Sequence, residues 1–183
     1  MPCAPAALAK VSASSAGEYH AQVFKPKTKV NPDRARVIEQ FRPALAKRGS
    51  AAAGKATFEQ RCAVCHELGG VGRAIGPDLK STRANGAEKM LVSLIDPNRE
   101  VAPQYLLFTV HLAKGDGALV GMIANENASV VELIQPDGSA KSVRRAGVRS
   151  IESTGLSLMP AGLEAGLSAG QMADLLAWVL EAP

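Results

Sequence analysis

The residues with the clearest capacity for chemistry are two cysteines three positions apart with a histidine directly after them: Cys62-Ala-Val-Cys65-His66, within "FEQRCAVCHELGG". Three chemistries use such a spacing. A structural zinc ion takes four ligands and usually draws the rest from a second close-spaced pair, which this sequence lacks. A redox dithiol follows a buried strand, whereas the preceding "GKATFEQR" is polar and helical in character. Covalent haem attachment uses every residue. Two cysteines on one turn can form thioethers to the two vinyl groups, and the next histidine then projects at the iron as proximal ligand. The bland alternative is a pair of buried thiols beside a chance histidine.

A ligating histidine is oriented by a hydrogen bond from its other ring nitrogen. Gly76-Pro77 in "IGPDL" offers a rigidly presented carbonyl and is the candidate partner. The sixth ligand decides the function, and the candidates are His20, His111, Met90, Met122, Met159 and Met172. His20 lies in a tail-like segment, and His111 alternates away from the apolar Phe108, Val110 and Leu112. Met90 and Met172 fall on apolar helix faces, where packing accounts for them, and Met122 falls in a strand as a lesser candidate. Met159 stands in an irregular loop stiffened by Pro160, free of a helix face. A methionine sixth ligand raises the haem potential and leaves no open coordination position. That describes an electron carrier and not an oxygen or peroxide enzyme.

The elements that must position these residues are legible in outline. Residues 1–30 are rich in Ala, Ser, Lys and Pro without a sustained period and read as a tail or linker. Asn31-Pro32 opens a helix over 31–50, carrying Ala35, Val37, Ile38, Phe41 and Leu45, with Pro43 ending or kinking it. A second helix is expected from about Ala51 to Glu67, stopped by Gly69-Gly70. "AEKMLVSLIDP" predicts a short amphipathic helix. From Gln104 to about Ser153 the period changes: β-branched runs separated by Lys114-Gly115-Asp116-Gly117 and Pro136-Asp137-Gly138 predict four or five antiparallel strands. A closing helix is expected from Ser168, its cap, to about Leu180.

Composition sets the outer bounds. The 183 residues suit one domain of ordinary size with an insertion and a tail. Only 4% are aromatic, so a bulky apolar cofactor would help fill a core built from Ala, Val, Leu and Ile. The net charge is +4, with Lys25, Lys27, Lys29, Arg34, Arg36, Arg42, Lys47, Arg48 and Lys55 concentrated early in the chain. Such a surface attracts acidic proteins, anionic membranes or nucleic acid. Nucleic acid ranks last, because no stacking aromatics are interleaved with the charges. No apolar run approaches a membrane span, and "MPCAPAALAK" does not read as an intact secretory signal. Cys3 is expected to be a free cysteine in the tail, since no apolar segment precedes it as in a lipidated terminus.

With these residues assembled, "GKATFEQRCAVCHELGGVGRAIGPDL" and "GLSLMPAGL" resemble class I cytochrome c. More narrowly they resemble the haem-binding domain family of the Pirellula/Verrucomicrobium type, over about residues 51–182. The resemblance implies Cys62 and Cys65 as haem thioethers, His66 as proximal ligand, Pro77 as its carbonyl partner and Met159 as distal ligand. It also implies that Gly54 and Phe58 cross the last helix near Leu175 and Trp178, a contact that the four-residue spacing of Gly54, Phe58 and Cys62 allows. It implies attachment to a larger protein carrying a dehydrogenase domain, and a periplasmic or otherwise exported location whose signal is not in this sequence.

The resulting expectation is a mainly α protein. A cytochrome c fold over 51–183 would carry a small antiparallel β insertion, 104–153, between the proximal and distal ligands. One covalent haem c in His/Met coordination would serve one-electron transfer with redox partner proteins, acidic ones or a fused dehydrogenase, without nucleic acid and without a transmembrane segment. Two rivals stand beside it: a haem enzyme or gas sensor with an open sixth position, and an interaction module that binds through the β insertion.

Overall fold

The computed structural model describes residues 31–183. The tail assigned to residues 1–30, with Cys3, His20, Lys25, Lys27 and Lys29, lies outside the described residues.

Helix α1 (Pro32–Phe41) starts where Asn31 Oδ1 accepts the backbone N–H of Asp33, with proline in the first turn where its missing donor costs nothing. Pro43 ends the regular helix in a 3₁₀ turn, Arg42–Ala46. Helix α2 (Ala51–Arg61) is capped by Ser50, and a single turn, α3 (Leu79–Thr82), by Asp78. Helix α4 spans Gly86–Ile95, and α5 spans Ala169–Glu181 behind a complete capping box between Ser168 and Gln171. No helix among the described residues is long and apolar enough to cross a membrane.

Helix α5 is the shared wall of two cores. One side gives Met172, Ala173 and Leu176 to a cluster with Ile38 and Ala44 from the first helical segment and Leu91 and Ile95 from α4. The other gives Leu175, Trp178 and Val179 to a cluster with Phe58 and Leu68. The crossing of α2 and α5 is close because Gly54 has no side chain: a Cβ there would stand 1.9 Å from the backbone oxygen of Asp174. Ser50 N–H donates to Asp174 Oδ1 at 2.7 Å beside that crossing. Arg83 donates to the carbonyls of Val179 and Ala182, a cation at the negative end of α5.

The expectation of a mainly α protein is overturned by a five-stranded antiparallel sheet, which makes the fold a mixed one. A two-residue hairpin, β1 (Glu67–Leu68) with β2 (Val71–Gly72), precedes it. The sheet comprises β3 (Leu106–Leu112), β4 (Ala118–Glu126), β5 (Val130–Ile134), β6 (Ala140–Arg144) and β7 (Val148–Ser157), in the order β6-β5-β4-β3-β7. Its two edge strands, β6 and β7, are joined by one 3₁₀ turn, Arg145–Gly147. A flat five-stranded sheet would separate its edges by about 19 Å, whereas three 3₁₀ residues advance about 6 Å. The sheet must therefore curl on itself, helped by register shifts in β3/β7 and β4/β5. The trough so formed buries Val110, Val131 and Leu133 completely, against Leu119, Ile123, Val148 and Ile151. The sheet thus has its own core, and this is why it is larger and more self-sufficient than a small insertion.

Helix α2 ends at Arg61 and not at Glu67. Cys62 N–H still bonds the Phe58 carbonyl, but Cys65 N–H then reaches back only three residues to the Cys62 carbonyl, tightening the turn out of helical geometry. Gly69 and Gly70, read as a helix stop, have φ of +61° and +75° and form the turn between β1 and β2.

Candidate metal centre

The tight turn after α2 aims His66 inward. The histidine is 8% exposed, and its Nδ1 lies 3.1 Å from the Pro77 carbonyl oxygen. A carbonyl can only accept, so Nδ1 carries the proton and Nε2 keeps its lone pair, the form that binds a metal. Burial depresses the imidazole pKa, opposed by the Pro77 carbonyl, and favours that neutral ring. The loop holding Pro77 is pinned to the motif itself: the N–H groups of Ile75 and Gly76 both donate to the Cys65 carbonyl, at 3.0 and 2.6 Å. Gly76 lies flat against the imidazole, where a Cβ would approach Cε1 to 2.6 Å.

Cys62 and Cys65 are unbonded thiols. Burial pushes the Cys62 pKa up to about 11 despite Arg61, and raises that of Cys65 despite Arg73. Reactive dithiols have depressed values, so these two are poorly suited to redox exchange on their own. A zinc site fits no better. Among the described residues no group of three or more His, Cys, Asp or Glu side chains is disposed to hold a metal ion, Cys62, Cys65 and His66 included.

A cavity of about 350 Å³ brings the expected site residues together, with Cys62, Cys65, His66, Pro77 and Met159 all in its lining. Its volume falls in the range of small-molecule and cofactor sites. Leu79, Leu94, Leu158, Leu163, Leu175, Leu176 and Val179 supply an apolar wall. Two free thiols, a buried imidazole with one nitrogen already committed, and thioether sulfurs in an apolar chamber fit a haem attached through both cysteines.

The delivery of Met159 depends on the sheet. β7 pairs with β3 down to Ser157 opposite Leu106, Leu158 N–H donates to the Tyr105 carbonyl at 2.9 Å, and Asn98 Oδ1 accepts from Ser157 N–H at 2.8 Å. Met159 follows at once, its N–H on Ser157 Oγ at 3.1 Å. At the rim, the β5–β6 turn folds over the cysteine motif: Pro136 lines the cavity, and Arg73 donates to the Gly138 carbonyl at 2.8 Å.

Of the other sixth-ligand candidates, Met172 is wholly buried in the helical core, and neither Met122 nor His111 lines the cavity. Met90 does line it, from α4, where the sequence suggested packing alone. Its helical position gave no sign of this, because one residue on an amphipathic helix can serve both the core and a chamber beside it. Arg61 and Tyr105 also line the cavity, and Arg73 stands at its rim, without having been singled out by sequence. Their contacts reach carbonyls 65 to 104 residues away, or lie at a strand entry that periodicity does not resolve.

A family model described as cytochrome c oxidase, cbb3-type, subunit III matches residues 49–109. The match covers the segment from the start of α2 into β3, including the cysteine motif and Pro77. It supports a cytochrome c family, and with it a c-type cytochrome of electron transfer, without singling out the narrower family that the sequence resembles. No curated protein matches the chain at a significant level.

Proposed function

We propose that this chain is a c-type cytochrome carrying one covalent haem c, ligated by His66 and Met159, and that it passes single electrons between partner proteins without catalysing a reaction of its own. The observation that carries the reading is that Cys62, Cys65, His66 and Met159, 97 residues apart from first to last, line one apolar cavity. Haem bound there supplies reversible one-electron exchange at iron, at a potential raised by a thioether ligand.

The chain's own residues do the rest. Cys62 and Cys65 anchor the group through both thiols. His66, with its tautomer set by Pro77, presents Nε2 along a fixed direction. The leucines and Val179 exclude water from the chamber. Covalent attachment of this kind calls for an exported protein, periplasmic or otherwise outside the cytoplasm, and a fused or separate dehydrogenase would be a natural electron donor. A basic surface suits an acidic partner. Within the described residues Arg36, Arg42 and Lys55 each face a carboxylate, so exposed Lys47 and Arg48 contribute most of that potential on the first helical segments.

The test is the optical spectrum of the haem-loaded protein and its Met159→Ala and Met90→Ala variants. Loss of the near-infrared methionine-to-ferric-iron band in Met159→Ala, with a lower potential and new CO binding to the reduced form, is expected. Loss of the band in Met90→Ala alone would transfer the ligand to α4. A parent protein that lacks the band and binds CO would favour a haem enzyme or gas sensor.

A further inference from the structure

The loop that follows Met159 is held by side chains from outside it. Arg61, the last residue of α2 and the neighbour of Cys62, donates from Nη1 to the carbonyls of Leu163 and Ala165, at 2.7 and 2.9 Å. On α1, Arg34 donates from Nε to the Ile95 carbonyl at the end of α4, and sets Nη2 2.7 Å from Glu164 Oε1. That last contact is an ion pair by distance and falls short of a directed hydrogen bond, and Glu164 Oε2 has no hydrogen-bond partner among the described residues. Glu164 is only 5% exposed. A carboxylate so buried needs a cation beside it. Two internal bonds, Ala165 N–H to the Gly162 carbonyl and Leu167 N–H to the Glu164 carbonyl, fold the loop into tight turns.

Met159 and Pro160 are therefore suspended between two fixed points. Upstream is the β3/β7 ladder, which ends at Ser157. Downstream is the segment 163–165, gripped from α1 and α2. Arg61 has a special place in this arrangement. One guanidinium, a single residue from the cysteine that would carry the first thioether, reaches the loop that would carry the distal ligand, so it sets the separation of the two halves of the chamber.

We infer that Arg61 and the Arg34–Glu164 pair are positioning residues for Met159, holding its sulfur over the iron against competing ligands. The inference rests on the reading of Met159 as the distal ligand. Neither arginine is cast as a ligand: Arg61 acts through the backbone carbonyls of the loop, and Arg34 through the Glu164 side chain.

The experiment uses the haem-loaded full chain and titrates ferric protein with imidazole, which competes for the sixth position, while following the near-infrared methionine band. Amide hydrogen exchange at Ala165 and Leu167 is measured in parallel. Arg61→Ala removes two charge-assisted bonds and should raise the apparent imidazole affinity about tenfold or more, with faster exchange at both amides. Arg61→Lys should recover part of the loss. Glu164→Gln keeps the shape of the side chain and should give the same change in smaller degree. Arg42→Ala, which breaks an exposed pair with Glu39 and Glu88, should change neither readout. Parent-like imidazole affinity in both Arg61→Ala and Glu164→Gln overturns the inference, even where Met159→Ala abolishes the band and upholds Met159 as ligand. A band that survives Met159→Ala defeats the ligand reading itself.

Discussion

Replacing Gly76 with alanine tests how tightly the fold grips His66. The new Cβ would stand 2.6 Å from Cε1, 2.9 Å from Nδ1 and 3.0 Å from Nε2 of the imidazole, where ordinary contact begins near 3.4 Å. The nearest approach is thus short by about 0.8 Å, and neither side can yield easily. The Gly76 backbone is tied to the Cys65 carbonyl at 2.6 Å, and the ring is buried with its Nδ1 bonded to Pro77. Overpacking of this kind costs roughly 1–3 kcal/mol, and a stretched imidazole–carbonyl bond about 1 kcal/mol more. Stiffening of the unfolded chain by alanine returns about 0.4–1 kcal/mol. The net expectation is a loss of roughly 1–3 kcal/mol, or a fall in Tm of about 3–10 °C in the haem-loaded protein. Weakening the Nδ1 bond also makes the imidazole a poorer donor, which destabilises ferric iron and raises the reduction potential. Gly170→Ala is the matched control: it sits in α5 with only Ser168 Oγ at 3.7 Å, so it should stabilise by about 0.5–1 kcal/mol without moving the potential. Thermal unfolding and a redox titration of both variants decide the matter. A Gly76→Ala protein with parental Tm and potential would refute the argument that this glycine is required by the ring.

Two further substitutions probe the frame, beside those already set out for Met159 and Arg61. Gly54→Ala, which at an ordinary helix site would gain about 1 kcal/mol, should instead lower the urea midpoint by the equivalent of about 2–3 kcal/mol, because its Cβ meets the Asp174 carbonyl at 1.9 Å; an unchanged midpoint would mean that the helices do not cross there. Gly138→Ala, at φ +77° and with its Cβ 2.8 Å from Arg73 Nη1, should destabilise by roughly 1–2 kcal/mol and speed exchange of the Gln135 amide, which donates to the Ser139 carbonyl across this turn, while parental exchange would mean that the hairpin turn does not depend on this contact.

The cysteine motif was legible because its parts are neighbours: one turn of chain sets Cys62, Cys65 and His66, and the Pro77 carbonyl comes eleven residues after the histidine. Helix starts were legible for the same local reason, since Asn31, Ser50 and Ser168 each cap the turn that follows. What stayed hidden depends on distant pairing. That the sheet curls around its own core follows from β3 meeting β7 some forty residues later and from a three-residue link between opposite edges, which no periodicity encodes. The early end of α2 was obscured because "CAVCHEL" has the composition of a helix, while the bonds from Ile75 and Gly76 to the Cys65 carbonyl draw it into a turn. The placement of Arg61 and Met90 was illegible too, since a side chain's reach to a carbonyl or a chamber leaves no mark on its neighbours in sequence.

The pairing of Leu106 with Ser157 has a consequence for how this protein could change. The strands that leave and re-enter the helical part do so side by side, so the excursion between them meets its host as a closed stem. Loop-closure entropy rises only slowly with length, and here the stem has already absorbed it. A chain joined by a two-residue turn across the paired Thr109 and Glu152 would keep the Leu106–Ser157 pair that leads to Met159 and would lose the sheet's own core together with the cover that Pro136 and Gly138 give the rim. A larger domain could enter by the same door. The stem is a grafting port, through which the face shown to other proteins can be exchanged while the chamber keeps its ligands.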